Sequence, residues 1–158
     1  MASGDEIAIA YPQMQMGDGA GYGVPDRRNR HIVLNLAADD YAVFPLYVSQ
    51  LYDGGGFTVD LFYSMVSATS GSITLQVSFE RTTLNTDDTD SDSYATGKSV
   101  TDTVPGTAGV VKKATVTFSN SEIDGLTAGD IGRVRVRRTD AGGTGLELRS
   151  PCLVIRET

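Results

Sequence analysis

The chain has no tryptophan, one cysteine and one histidine, and these scarcities exclude whole classes of chemistry. A lone cysteine, Cys152, cannot form an intrachain disulfide and cannot build a thiolate metal centre, which needs several. Its setting, Ser150-Pro151-Cys152-Leu153-Val154-Ile155, reads as a small core residue on a strand rather than a nucleophile. A single cysteine also fits assembly in a reducing cytoplasm. Any Ser-His-Asp hydrolase would have to use His31, and no Gly-x-Ser-x-Gly elbow accompanies it. Long apolar runs are missing: none approaches the ~18 residues of a membrane span. The start, Met1-Ala2-Ser3-Gly4-Asp5-Glu6, lacks the basic and apolar stretches of a secretory signal. Positive charge is scarce as well. A net charge of −7 and a pI of about 4.5 argue against nucleic acid phosphate or an anionic membrane as partner.

What the chain does have is alternation. Phe57, Val59, Leu61, Tyr63 and Met65 share one parity, and Ile73, Leu75, Val77 and Phe79 repeat it after Ala68-Thr69-Ser70-Gly71. Successive strand side chains point to opposite faces, so this pattern predicts two strands, joined as a hairpin, with one face buried. Runs rich in Val, Ile, Thr, Phe and Tyr predict strands at 31–37, 41–49, 56–67, 71–82, 95–103, 110–119, 131–139 and 146–156. Turns rich in Gly, Pro, Asn and Ser separate them, and only residues 121–128 could hold a helical turn. About eight short strands with almost no helix predict an all-β, antiparallel, jelly-roll-like β-sandwich over residues 31–158. A chain of 158 residues is enough for one domain that buries roughly 70% of its unfolded surface. Pro45, inside Val43-Phe44-Pro45-Leu46-Tyr47, places that strand at an edge or a bulge because proline has no N–H to donate.

Residues 1–30 are different in kind. Met14-Gln15-Met16-Gly17-Asp18-Gly19-Ala20-Gly21-Tyr22-Gly23 has too much glycine for a helix and no strand periodicity, so it predicts an extended N-terminal arm. At about 3.3 Å per residue such an arm would reach roughly 100 Å, far enough to embrace a neighbouring subunit.

Two charge clusters are candidate sites. Asp88, Asp90 and Asp92 repeat the first three ligand positions of a calcium loop, but Ser93 and Ser99 stand where the EF-hand needs glycine and glutamate. The EF-hand reading fails, which leaves a looser Ca²⁺ site completed by backbone carbonyls or a solvated loop. No other cofactor is expected. Arg133, Arg135 and Arg137 share one strand face, opposite Val134 and Val136. They suit ion pairs with carboxylates across a strand or a subunit boundary, or a platform for glycan or phosphate. Gly54-Gly55-Gly56 and Gly106-Thr107-Ala108-Gly109 join strands and open no helix, so they read as turns rather than phosphate cradles.

The body resembles small virion accessory proteins of tailed phages and environmental viruses, the head-decoration-like β-sandwich domains. The resemblance rests on Tyr52-Asp53-Gly54-Gly55-Gly56-Phe57-Thr58-Val59, on Ala68-Thr69-Ser70-Gly71 leading to Val77-Ser78-Phe79-Glu80-Arg81, and on Asp92-Ser93-Tyr94-Ala95. It continues through Val104-Pro105-Gly106-Thr107-Ala108-Gly109-Val110-Val111 and Ile155-Arg156-Glu157-Thr158, covering residues 38–158. It implies a non-enzymatic protein of the virion surface, assembled in the host cytoplasm and usually oligomeric, and no active site. A capsid decoration or cement role then implies a homo-oligomer, a trimer at three-fold lattice points, bound to the major capsid protein. The arm residues Ile7, Ile9, Tyr11, Met14, Met16 and Tyr22, with Arg133, Arg135 and Arg137, are the expected capsid or subunit contacts. The alternative is a receptor- or glycan-binding module of a tail fibre or other appendage, using the Tyr47–Tyr52 loop or the Asp87–Tyr94 loop, with tyrosine in place of the missing tryptophan.

Overall fold

A strand with one apolar face needs a second apolar surface to cover it, and this chain provides the cover by folding into two stacked sheets. The computed structural model describes residues 6–10, 21, 23–28, 31–141 and 145–158. Its strands are β1 (Glu6–Ala10), β2 (Val24–Arg28), β3 (His31–Leu36), β4 (Tyr41–Tyr47), β5 (Phe57–Met65), β6 (Ser72–Thr82), β7 (Lys98–Thr103), β8 (Lys112–Phe118), β9 (Ile131–Arg138) and β10 (Leu146–Glu157). The first sheet runs β2-β3-β10-β5-β8, with β1 also on β10, and the second runs β4-β9-β6-β7. All described pairings are antiparallel, which makes the fold an antiparallel β-sandwich of the jelly-roll kind.

The apolar parity read from the sequence is the buried one. Phe57, Val59, Leu61 and Tyr63 of β5, and Leu75, Val77 and Phe79 of β6, have no solvent exposure. Their expected hairpin does not form. β5 pairs with β10 and β8, while β6 pairs with β9 and β7, so the two strands lie in opposite sheets. Alternation fixes which face turns inward; it leaves open whether two such faces lie side by side or face each other. Facing each other, they bring Phe79 within 5.4 Å of Phe57 and 5.0 Å of Phe118, ring centre to ring centre. Phe57 and Phe118 are cross-strand partners in the first sheet, so Phe79 from the second sheet joins the layers.

The long final strand organises the first sheet. Along its beginning β10 pairs with β3, from Leu146 to Arg149, and along its end with β1, from Leu153 to Arg156. Its register against β5 shifts between Leu148 and Leu153, and Pro151, with no N–H for the ladder, lies in that break. β1 belongs to the segment read as a free arm. Residues 6–10 and 24–28 are instead strands of this sheet, because unpaired backbone at a sheet edge finds its nearest partner within the same chain. Ile7 and Ile9 therefore lie on a strand paired with β10, whereas Tyr11, Met14, Met16 and Tyr22 lie outside the described residues.

β4 lies at the end of its sheet, as Pro45 requires. The expected helical turn shrinks to one 3-10 turn, Asn120–Glu122. There the Glu122 carboxylate accepts the Ser119 N–H at 2.8 Å and pairs with Lys98, which holds its pKa down at about 2. Gly56, at φ 109°, enters β5 where a Cβ would lie 2.3 Å from the Phe118 carbonyl oxygen, so only glycine fits. Cys152 is buried in the core, and burial pushes its thiol up to about 12, so it stays protonated and inert.

Because Phe79 is fully buried against both Phe57 and Phe118, Phe79→Ala is expected to cost about 3–5 kcal/mol of stability. Urea unfolding of the variant against the parent chain measures it; a change below about 1 kcal/mol would mean that the core closes around the gap.

Candidate functional site

The functional candidate is the outer face of the second sheet and the loop that folds over it. In an antiparallel sheet, residues directly opposite one another share a face. The register sets outward rows across β4, β9 and β6: Tyr41–Arg137–Gln76, Val43–Arg135–Ser78, Pro45–Arg133–Glu80 and Tyr47–Ile131–Thr82. β9 thus presents Arg133, Arg135 and Arg137 outward as expected, while Val134 and Val136 are fully buried.

Loop 83–97, between β6 and β7, covers the middle of this face. It is tied down by Ala95 N–H on the Phe79 carbonyl at 2.8 Å and by Ser93, whose N–H and hydroxyl both donate to Glu80 at 3.2 Å. Arg133 donates to both oxygens of the buried Glu80 carboxylate at 2.8 Å and to the Thr89 carbonyl at 3.2 Å. Burial works against the Arg133 charge, but the bond to Glu80 outweighs it and raises the guanidinium pKa. The Tyr94 ring lies against Arg135, with the guanidinium carbon 4.1 Å from the ring centre, and 5.5 Å from that of Arg133. Burial first, with Asp92 and Glu80 adding to it against the opposing arginines, pushes the Tyr94 phenol up to about 12. At neutral pH it is a neutral donor.

The end of the face is open. Where β6 ends and β9 begins there is a cleft of about 300 Å³, lined by Thr82, Thr83, Leu84, Asp130 and Ile131 among others. Arg81 lies in its wall, with Nε 3.0 Å from Asp130. The Thr127 N–H and hydroxyl donate to Asp130 at 2.8 and 2.9 Å. Burial alone would raise the Asp130 pKa, yet these bonds and Arg81 hold it below the usual value, so the group stays ionised. Around the cleft, large apolar groups face solvent: Leu84 is 68% exposed, Ile131 39%, and Tyr47, the cross-strand partner of Ile131, 54%. Gln50 donates to the Tyr47 hydroxyl at 3.3 Å.

Asp88, Asp90 and Asp92, the candidate cation ligands, have different partners. Asp88 accepts the Asp90 N–H at 3.0 Å, and Asp92 turns to Arg133 and Arg135 at 3.4 and 3.8 Å. Among the described residues no three Asp, Glu, His or Cys groups gather as metal ligands. The arginines expected to reach another subunit are engaged within the chain: Arg133 with Glu80, Arg135 with Tyr94 and Asp92, and Arg137 with Asp39 at 3.1 Å. Arg133 alone meets a carboxylate across a strand, Glu80 of β6, while the carboxylates near Arg135 and Arg137 come from loops. The cleft is the part that sequence reasoning missed. Its signal was present in Tyr47 and Ile131, apolar residues on the outward parity of their strands.

No family model matches the chain, and no curated protein matches it. Solved structures resemble it weakly, among them three carbohydrate-binding modules or domains. A family 11 carbohydrate-binding module from Clostridium thermocellum, in complex with a mixed-linked tetrasaccharide, is 9% identical with a TM-score of 0.47, over 99% of this chain and 95% of that one. A CBM4 structure is 11% identical with a TM-score of 0.45, over 88% and 81%. The CBM22-1 xylan-binding domain from Paenibacillus barcinonensis Xyn10C is 14% identical with a TM-score of 0.40, over 96% and 80%.

Three carboxylates set the acid limit of this fold. Asp130 at the cleft, Asp102 beside Lys112 and Tyr63, and Asp60 beside Thr115, Arg156 and Lys113 all resist burial through hydrogen bonds and ion pairs, and each sits below the ordinary 3.8. A carboxylate with a lowered folded pKa stabilises the fold at every pH above its unfolded value and loses that contribution as pH falls through the folded one. The thermal midpoint is therefore expected to hold level from neutral pH down to about 4 and to fall below it. Asp130→Asn should lower the neutral-pH midpoint and flatten the acid decline; an unchanged acid decline in this variant would show that Asp130 does not contribute.

Proposed function

We propose that this chain is a non-catalytic carbohydrate-binding module, and that its binding surface starts at the cleft between the ends of β6 and β9. The observation that carries this reading is the exposed row Tyr47–Ile131–Thr82 beside the Arg81–Asp130 pair. A pyranose has an apolar face of C–H bonds and a rim of hydroxyls. Tyrosine held by a hydrogen bond offers a flat ring for the first, and a fixed guanidinium–carboxylate pair offers donors and acceptors for the second. Concave sites with apolar walls and a few placed polar groups are the usual form of small-ligand pockets. Asp130 stays charged and is held by three hydrogen bonds and its ion pair with Arg81, so it works as a fixed acceptor rather than as a proton-transfer group.

A virion appendage is the setting that the sequence resemblance implies for such a module. The capsid-decoration reading draws less support, because residues 6–10, part of the 1–30 arm expected to reach a neighbour, pair with this chain's own β10.

A glycan array followed by calorimetry tests the proposal. Oligosaccharides are expected to bind, and Tyr47→Ala to weaken the best of them about tenfold or more with an unchanged melting temperature. A broad array without hits, with and without calcium, would overturn it.

A further inference from the structure

Loop 83–97 joins the cleft to the arginine row. Its first residues, Thr83 and Leu84, line the cleft, and its later residues, Asp92 and Tyr94, lie on Arg133 and Arg135. The two arginines are held very differently. Arg133 has tight bonds to Glu80 at 2.8 Å, whereas the ionic contact of Arg135 is to Asp92 at 3.8 Å, beyond hydrogen-bond reach. The Asp92 side chain is itself 54% exposed, so its hold on the arginines is weak. The Nε atoms of Arg133 and Arg135 and the Tyr94 hydroxyl are shielded from solvent and have no hydrogen-bond partner among the described residues. The Arg135 guanidinium carbon also lies near two rings, 4.1 Å from the centre of Tyr94 and 5.9 Å from that of Tyr41.

We propose that Arg135, beside Tyr41 and Tyr94, is a recognition point for the carboxylate of an acidic sugar, and that Asp92 is the chain's own stand-in for that carboxylate. This deepens the carbohydrate reading and rests on it. A guanidinium presents a planar fork that a carboxylate fills with two parallel bonds, and Asp92 fills neither prong within bonding distance. A uronate carboxylate free to align with the fork outcompetes it. Tyrosine rings beside the guanidinium suit the C–H face of the same sugar, which favours a uronate over a bare inorganic anion. Displacing Asp92 removes its contacts to Arg133 and Arg135, while Ser93 on Glu80 and Ala95 on the Phe79 carbonyl keep loop 83–97 on the face, so the acidic sugar is recognised at Arg135 itself.

Calorimetry on the full chain with oligomers of galacturonate, glucuronate and mannuronate, their methyl esters and neutral oligosaccharides tests this. The best acidic oligomer is expected to bind about tenfold tighter than its ester, and salt at about 1 M to close most of that gap. Arg135→Met removes the preference. Arg135→Lys keeps the charge without the fork, and is expected to retain the fold, checked by thermal melting, while losing most of the preference. Asp92→Asn removes the internal competitor and is expected to strengthen acid binding several-fold, whereas a purely structural Asp92 would weaken it. Equal affinity for acid and ester, or weakened acid binding in Asp92→Asn, overturns the proposal. If neutral sugars bind and Tyr47→Ala abolishes that binding without any acid preference, the cleft reading stands and this one falls. If no oligomer of any kind binds, both fall.

Discussion

The register of β9 is the constraint on which both the core and the candidate surface depend. Flanked by β4 and β6, this strand sends Val134 and Val136 into the aromatic core and Arg133, Arg135 and Arg137 to the outside. A slip of one residue would exchange the two sets and bury three guanidinium groups. Gly132 makes the register possible, since a Cβ there would lie 2.3 Å from the Glu80 carbonyl oxygen. The strand's last residue breaks the pattern in a useful way. Arg138 has the inward parity and is 1% exposed, and it donates to Asp140 and, across the sandwich, to the Leu36 carbonyl of β3 at 3.2 Å. A charge in that place needs such partners, because an unpaired guanidinium in the core would cost several kcal/mol.

The outer face shows how one set of arginines can serve two purposes. Arg133 anchors a buried carboxylate and closes the middle of the face, which makes it part of the fold. Arg135 is held by rings more than by charge, so its contact to Asp92 contributes little to the fold. The loop spanning both connects the stability of this face to its recognition. The first sheet has its own ionic hub in Asp60, 1% exposed and bonded to Thr115, Lys113 and Arg156 from two flanking strands.

Much of this was legible in the sequence because strand alternation is local. Phe57 to Met65, Ile73 to Phe79 and Val134 to Val136 declared their buried faces by parity alone, Pro45 declared an edge, and Cys152 declared a core position. The arginine row and its outward direction followed from the same count. The cleft was less visible: Tyr47 and Ile131 are far apart in the chain, and each alone is an ordinary exposed apolar residue.

The sequence by itself determined the all-β class, the inward and outward sets of most strands and the exclusion of disulfide chemistry, since each depends on neighbours within a few residues or on composition. Only the tertiary structure decided that β5 and β6 face each other instead of pairing, that residues 6–10 close onto β10, and that Asp92 turns to arginines rather than to a cation. Each of these is a choice of partner among groups distant in the chain. Hydrogen-bond ladders and ion pairs accept many partners equally well, and the choice among them rests with the packing of the whole sandwich.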